Sequence, residues 1–374
     1  MRYKTFQDLQ LSALGMGCMR LPLKGGNSEI DEEQTARMAA YAMAHGINYF
    51  DTAWGYHGGN SESVMGKILS AYPRDAYHLA SKFPGYDLAN MPKVQEIFAR
   101  QLERCQSEYF DFYLFHNVCE LNIDAYLNEE YGILDHLLKQ KEAGRIRHLG
   151  FSAHGSIPVM ERFLNAYGEH MEFCQIQLNY LDWILQDAKG KVELLNARHI
   201  PIWVMEPLRG GKLCTLDEEA MSELQKLRPQ ESMSGWAFRF LQSIPGVTMI
   251  LSGMSDMQQL QENIETFADE QPLNEDEMKT LTGIGRRMST SVPCTACRYC
   301  IEHCPRSLDI PELIRLYNDM VYSDGSFSAR NAVNALPADK QPSACIGCGH
   351  CQALCPQQIH IPDIMRDLAR RISE

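Results

Sequence analysis

Eight of the thirteen cysteines fall between Cys294 and Cys355, in two runs of identical spacing. The first is Cys294-x2-Cys297-x2-Cys300-x3-Cys304-Pro305, and the second is Cys345-x2-Cys348-x2-Cys351-x3-Cys355-Pro356. Three thiolates at two-residue intervals can wrap three corners of a cubane from one tight loop. The fourth, three residues on and followed by proline, is expected at a helix start, from which it reaches a second cubane. The spacing therefore predicts two [4Fe–4S] clusters with crossed ligands. Cys294, Cys297, Cys300 and Cys355 would hold one; Cys345, Cys348, Cys351 and Cys304 would hold the other. Zinc fits less well, because its sites take ligands in pairs and not as a repeated four-cysteine run. A disulfide scaffold would spread its cysteines over a short exported chain. Cys18, Cys105, Cys119, Cys174 and Cys214 are scattered singly and read as small buried hydrophobes.

The 374 residues exceed one typical domain, so a large domain precedes a small one. The hydrophobic fraction of 45% and charged fraction of 22% are those of a globular protein, not a disordered or collagen-like one. A net charge of −13 argues against nucleic acid or an anionic membrane as the main partner. No apolar run is long enough for a transmembrane helix. The start, Met1-Arg2-Tyr3-Lys4-Thr5-Phe6-Gln7-Asp8, lacks the apolar core of a signal peptide, and a cytoplasmic location is expected.

From about residue 10 to 267, short apolar runs alternate with amphipathic stretches. The expected strands are Leu14–Cys18, Ile47–Phe50, Tyr77–Ala80, Phe112–Phe115, His148–Phe151, Phe173–Gln177, Ile202–Met205 and Val247–Leu251. Ala36, Ala39, Ala40 and Met43 mark a helix that stops at Gly46; Leu260, Ile264 and Phe267 mark the last of the series. Eight such alternations predict an α/β fold, a (β/α)8 TIM barrel. A doubly wound open sheet is the alternative, but Gly15-Met16-Gly17 supplies only the first pair of its Gly-x-Gly-x-x-Gly opening. A helix from about Asn274 to Met288 ends the barrel, and Ser289-Thr290-Ser291-Val292-Pro293 reads as a linker. The expected division is residues 1–288 and 289–374. Leu313, Leu316, Tyr317 and Met320, then Ile361, Ile364, Met365 and Leu368, give helical periods in the second part, with Pro362 tolerated in a first turn. That part resembles an alpha-helical ferredoxin domain.

Four residues stand at or just beyond the C-terminal ends of expected strands, where barrels place catalysis: Asp51, Tyr56, Lys82 and His116. They lie in Phe50-Asp51-Thr52-Ala53-Trp54-Gly55-Tyr56, Ser81-Lys82-Phe83 and Phe115-His116-Asn117; Gly150-Phe151-Ser152 follows on the next strand. With these segments residues 1–270 resemble the aldo-keto reductase family, and with the tail its iron–sulfur-containing subgroup. Carbonyl reduction by a nicotinamide hydride requires a proton donor as the oxygen becomes negative. Tyr56 would be that acid, its hydroxyl lowered by Lys82, with Asp51 as counter-ion and His116 as the second donor to the oxygen.

The resemblance further implies NAD(P)H. Ser152 and Gln175 would hold the carboxamide, and the loop Glu206-Pro207-Leu208-Arg209-Gly210-Gly211-Lys212 would pass over the pyrophosphate, with Leu208, Gly210 and Gly211 in contact. Gly253 and the pair Glu262-Asn263 would border the adenosine. Two positions depart from the family: Ala153 stands where an Asn is frequent, and Gln259 where a basic residue grips the 2′-phosphate. The family favours NADPH; this departure leaves NADPH and NADH both open, with Arg209 or Lys212 as compensating cations. Trp54, His57 and His154 line the substrate mouth or pack its rim.

The expected activity is oxidoreduction of a small carbonyl compound, with electrons passing through the clusters. A hydride carries two electrons and a cubane passes one, so a converter such as a flavin is required, and no flavin signature is visible. A ferredoxin, flavodoxin or flavoprotein partner would meet the clusters, with Arg286, Arg287, Arg298 and Arg306 as a basic landing patch. The alternative is a redox-complex assembly protein with the barrel as scaffold, although a scaffold has no need of all four catalytic residues.

Overall fold

The computed structural model describes the chain except residues 26–28, 290, 295–296, 324 and 356, and the side chains of Tyr299 and Glu302. Thr290 of the expected linker and Pro356 of the second cysteine run therefore lie outside the described residues.

Strands β1 (Tyr3–Phe6) and β2 (Leu9–Ser12) form an antiparallel hairpin that the sequence pattern did not predict. The barrel follows: β3 (Leu14–Gly17), β4 (Tyr49–Asp51), β5 (His78–Phe83), β6 (Phe110–Val118), β7 (Ile146–Ala153), β8 (Cys174–Gln177), β9 (Ile202–Met205) and β10 (Val247–Gly253). These eight strands close in sequence order, β10 pairing with β3, and each neighbouring pair is parallel. The eight expected strands coincide with them in order and approximate position.

Side chains alternate across each strand, so every second residue faces the barrel axis. The inward set is Tyr49, Ala80, Phe112, Leu114, Phe173, Trp203, Met249 and Leu251, and the hairpin adds Phe6 and Leu11 from below. Phe6 meets Phe112, Phe173 and Trp203 with ring centroids 5.1 to 6.4 Å apart. The hairpin thus seals the floor, and burial of a Phe such as this contributes about 1.5–3 kcal/mol. Outward residues such as Phe50, Leu79, Phe115 and Phe151 pack under the helical layer.

The helix Glu32–Ala44 starts on Asp31, whose carboxylate accepts from Gln34 N. The helix Glu275–Met288 opens with a reciprocal Asn274–Glu277 capping box and ends on Arg286 and Arg287, charges that suit its dipole at both ends. A second apolar core lies beyond it, built from the helices Ile310–Ser323 and Ile361–Ser373 with Leu308 and Ile359. Both helices match the expected periods. The helix Phe327–Asn334 between them was not foreseen; its buried face is Ala329, Asn331 and Val333, too polar to signal a period.

Two expectations are corrected. Cys18, Cys105, Cys119 and Cys174 are buried as expected, but Cys214 is exposed, at the end of a short 3-10 turn. Cys304 and Cys355 do not open helices: each follows a single helical turn, Tyr299–Glu302 and His350–Ala353. The third cysteine of each run sits inside that turn, so the fourth falls on the bend leaving it. The next helices begin at Ile310 and Ile361.

Candidate active site

The inward rows of the barrel lead directly from its aromatic floor to the catalytic candidates. Tyr49 is followed two residues on by Asp51, Ala80 by Lys82, Leu114 by His116 and Phe173 by Gln175. Each pair lies on one strand face, so the polar residues occupy the rung above the apolar one. Tyr56 arrives from the loop after β4, on a short 3-10 turn.

Lys82 and Asp51 are buried, with Nζ 2.6 Å from Asp51 Oδ1. The ammonium also donates to Thr52 O at 2.8 Å and stands 3.4 Å from the Tyr56 hydroxyl. Burial pulls Lys82 down, but Asp51 and Tyr56 more than offset it, so it stays charged. Burial raises the Asp51 carboxyl, with Lys82 opposing. Tyr56 differs from the sequence expectation. Burial pushes its hydroxyl up to about 12; Lys82 only moderates the rise, which Asp51 increases. The phenol is therefore firmly protonated at neutral pH.

His116 faces Tyr56 with ring centroids 6.2 Å apart and nearly perpendicular planes. Burial, then Lys82 and His154, hold its imidazole well below the ordinary value, so it is neutral. Its Nδ1 is buried and without a hydrogen-bond partner. The half-exposed Tyr86 lies edge-on to it at 5.2 Å. A Cβ on Gly55 would stand 2.4 Å from the Tyr86 hydroxyl, so glycine there lets Tyr86 reach over the mouth.

The residues expected at a carboxamide gather around β7 and β8, where register sets Ser152 opposite Gln175. Ser152 Oγ accepts from Asn117 N at 2.8 Å, while Gln175 Oε1 and Asn117 Oδ1 are buried without partners. Leaving such oxygens unmade costs about 1–3 kcal/mol each, and an amide ligand satisfies them. Asn117 escaped the sequence reading. Its side chain is placed by a register shift between Phe115 and Val118 and a left-handed φ of 60°. Its position directly after the candidate His116 was the available signal.

The loop after β9 is tightly bent: Glu206, Arg209, Gly210 and Gly211 all have positive φ. Leu208 packs on the barrel core. Gly210 and Gly253 both lie against Arg20, a half-exposed residue that the sequence reading passed over. Asn263 Nδ2 donates to Ser252 Oγ at 3.1 Å, and Glu262 accepts from Gln258 at 2.8 Å. Arg209 and Lys212 do not stand ready as phosphate cations. Arg209 is buried between Asp182 and Asp319, and Lys212 Nζ donates to Tyr322 O at 3.0 Å. Trp54 lies under the Arg104 guanidinium at 3.9 Å, and His57 Nε2 accepts from Leu21 N at 3.1 Å, so both brace the rim. His154 meets Ser328 at 3.4 Å and Phe327 at 6.1 Å between ring centroids.

The cysteines of the two runs are exchanged between two cavities. Cys304, Cys345, Cys348 and Cys351 line one, with Ile310 and Met365. Cys294, Cys297, Cys300 and Cys355 line the other, with Ile314 and Ile359. An apolar pocket with four thiols suits a cubane. Of the expected basic patch, Arg287 pairs with Glu223 at 2.8 Å and Arg298 with Asp309 at 3.3 Å.

A buried Asp–Lys pair reaching a partly exposed Tyr, with a neutral His, at the open end of a closed parallel barrel fits a barrel oxidoreductase. The chain belongs to the aldo/keto reductase family, whose model matches residues 13–286; residues 293–360 match a 4Fe-4S dicluster domain. It is 27% identical over 301 residues to an uncharacterized oxidoreductase, YqkF, of Bacillus subtilis, covering 73% of this chain and 92% of that protein. Its fold is similar to the holo form of the aldo-keto reductase AKR11C1 from Bacillus halodurans, with a TM-score of 0.63 and 22% identity over 76% of this chain and 96% of that one. An aldo-keto reductase from Klebsiella pneumoniae in complex with NADPH gives 0.61 and 18%, over 76% and 95%. Among the described residues no helix is long and apolar enough to cross a membrane.

Proposed function

We propose that residues 1–288 reduce a small carbonyl compound with NAD(P)H, or run the reverse oxidation, and that residues 289–374 carry two [4Fe–4S] clusters for one-electron transfer. The observation that carries the reading is the chain from the buried Asp51–Lys82 pair to the Tyr56 hydroxyl. Tyr56 donates its proton to the carbonyl oxygen as negative charge develops there. A phenol held near 12 remains a stronger acid than the alcohol being formed, so the transfer is downhill. Lys82 steadies the phenolate left behind, and Asp51 keeps Lys82 charged and in place. His116, neutral, donates an N–H to the same oxygen and fixes the carbonyl's direction. The nicotinamide supplies the hydride.

Ser152, Gln175 and Asn117 take the carboxamide; Leu208, Gly210 and Gly211 take the pyrophosphate; Gly253, Glu262 and Asn263 take the adenosine. Arg20, half-exposed against both Gly210 and Gly253 and 4.0 Å from Glu206, is the cation that this reading assigns to a 2′-phosphate. The complex of the Klebsiella relative with NADPH supports that cofactor. The crossed cysteine sets take one cubane each. A ferredoxin, flavodoxin or flavoprotein partner would exchange single electrons with clusters held there, and only a flavin-bearing partner would supply the conversion between electron pairs and single electrons.

Anaerobically purified protein should contain about eight iron and eight sulfide per chain. Titration with NADPH and NADH, with flavin quantified, then establishes the nicotinamide and any further cofactor. Stoichiometric zinc without iron, or no nicotinamide binding, would overturn the reading.

The acid–base pair also sets a pH dependence. Tyr56 stays protonated and His116 stays neutral across the neutral range, so reduction should be flat from about pH 6 to about pH 9. Oxidation needs Tyr56 as the base. Its deprotonated fraction grows with pH throughout this range, and so should the rate of alcohol oxidation. Turnover measured in both directions on one buffer series checks this; a reduction rate falling through pH 7 would contradict it.

A further inference from the structure

The helix Ile310–Ser323 belongs to the cysteine-rich module, yet its two ends serve different sites. Near its start, Ile310 lines one thiol cavity while Pro311 and Ile314 line the other. Further on, Arg315 donates to Leu185 O, Gln186 Nε2 donates to Asp319 Oδ2 at 3.3 Å, and Tyr322 O accepts from Lys212. Between these contacts lies Arg209, 6% exposed, on the bent loop after β9. Its guanidinium donates to Asp182 of the barrel on one side and to Asp319 and Ser323 of the module on the other. Tyr322 lies over it at 5.4 Å.

Every partner in this cluster is itself held. Asp182, fully buried, accepts from Gln177 at 2.9 Å and Asn179 at 2.6 Å. Asp319, 1% exposed, accepts from Ser326 at 2.9 Å and Ser323 at 3.1 Å. A fixed cation between two fixed anions has little freedom, and a buried charge resists losing either partner. The backbone that carries Arg209 is the one whose next two residues, Gly210 and Gly211, are bent into left-handed conformations.

The geometry points to Asp319 as a positioning residue for the nicotinamide-binding loop, holding it through Arg209 so that the cluster module contributes to cofactor affinity. This rests on the reading above that residues 206–212 embrace the dinucleotide. Asp319 touches neither cofactor nor substrate in this proposal. Its effect is to remove conformations of the loop that cannot bind, which lowers the entropy lost on binding.

The test is direct nicotinamide binding to anaerobic holoprotein, measured by calorimetry or quenching, with iron and sulfide counted in every sample. Asp319→Asn should weaken NADPH or NADH binding roughly tenfold at unchanged cluster content. KM for the nicotinamide should rise while turnover at saturation stays nearly constant, the split expected when binding and not the reacting centre is disturbed. Asp319→Glu, which retains the charge, should recover part of the loss, and Ser323→Ala should show a smaller loss of the same sign. Unchanged nicotinamide affinity in Asp319→Asn with full clusters would overturn the inference. If Asp319→Asn cannot hold its clusters, Ser323→Ala decides the matter in the same way. Wild-type protein that binds no nicotinamide would instead overturn the reductase reading itself.

Discussion

Tyr56→Phe should lower carbonyl turnover by roughly 10²–10⁴-fold, the usual contribution of a positioned general acid. The ring stays, so its perpendicular approach to His116 and its contact with Lys82 are retained. Only the transferable proton is lost. Nicotinamide affinity should change little, because the carboxamide candidates lie on β6, β7 and β8 and not on the loop after β4. Steady-state kinetics with a panel of aldehydes and ketones checks this, paired with nicotinamide binding on the same preparation. A variant that keeps near-wild-type turnover on every substrate of the parent would remove Tyr56 from the acid's role.

Cys304→Ala is expected to empty a cluster site to which its own motif contributes only that one residue. Cys304 lines its cavity together with Cys345, Cys348 and Cys351, forty or so residues further along the chain. Loss of this thiolate should therefore remove about half of the iron, on the order of four atoms per chain, from the site of the second run. Cys355→Ala should do the converse, since Cys355 lines the cavity of Cys294, Cys297 and Cys300. Electron paramagnetic resonance of the reduced proteins distinguishes the two sites. Loss of the first run's cluster in Cys304→Ala would mean that each run closes on itself.

What could be read from the sequence had short-range or periodic causes. The barrel strands were legible because inward and outward residues are both apolar there, which leaves compact runs such as Phe112–Phe115. Asp51, Lys82 and His116 were legible because each extends an inward row beyond the apolar rung, and Tyr56 because it follows Asp51 closely in the loop after β4. The hairpin Tyr3–Ser12 was missed for the opposite reason. Its strands are four residues each, with several exposed positions, and its turn at Gln7 and Asp8 carries no glycine although Gln7 takes a φ of 53°. Arg209 was assigned to a phosphate because loop position was all the sequence offered. Its partner Asp319 lies 110 residues away, and no local pattern announces such a pairing. The acidity of Tyr56 was misjudged similarly: a nearby lysine can be inferred from motifs, but the cost of burying a phenolate depends on everything packed around it.

The hairpin that closes the barrel floor has a bearing on the order of events in a catalytic cycle. With Phe6 and Leu11 set beneath Tyr49, Phe112 and Trp203, apolar side chains fill the barrel between its floor and the Asp51–Lys82 pair. On the proposed reading, a proton surrendered by Tyr56 would be restored through the same opening by which the substrate enters and the product leaves. Recharging of the acid would thereby be tied to the emptying of the site, each new turnover following the exchange of alcohol for water.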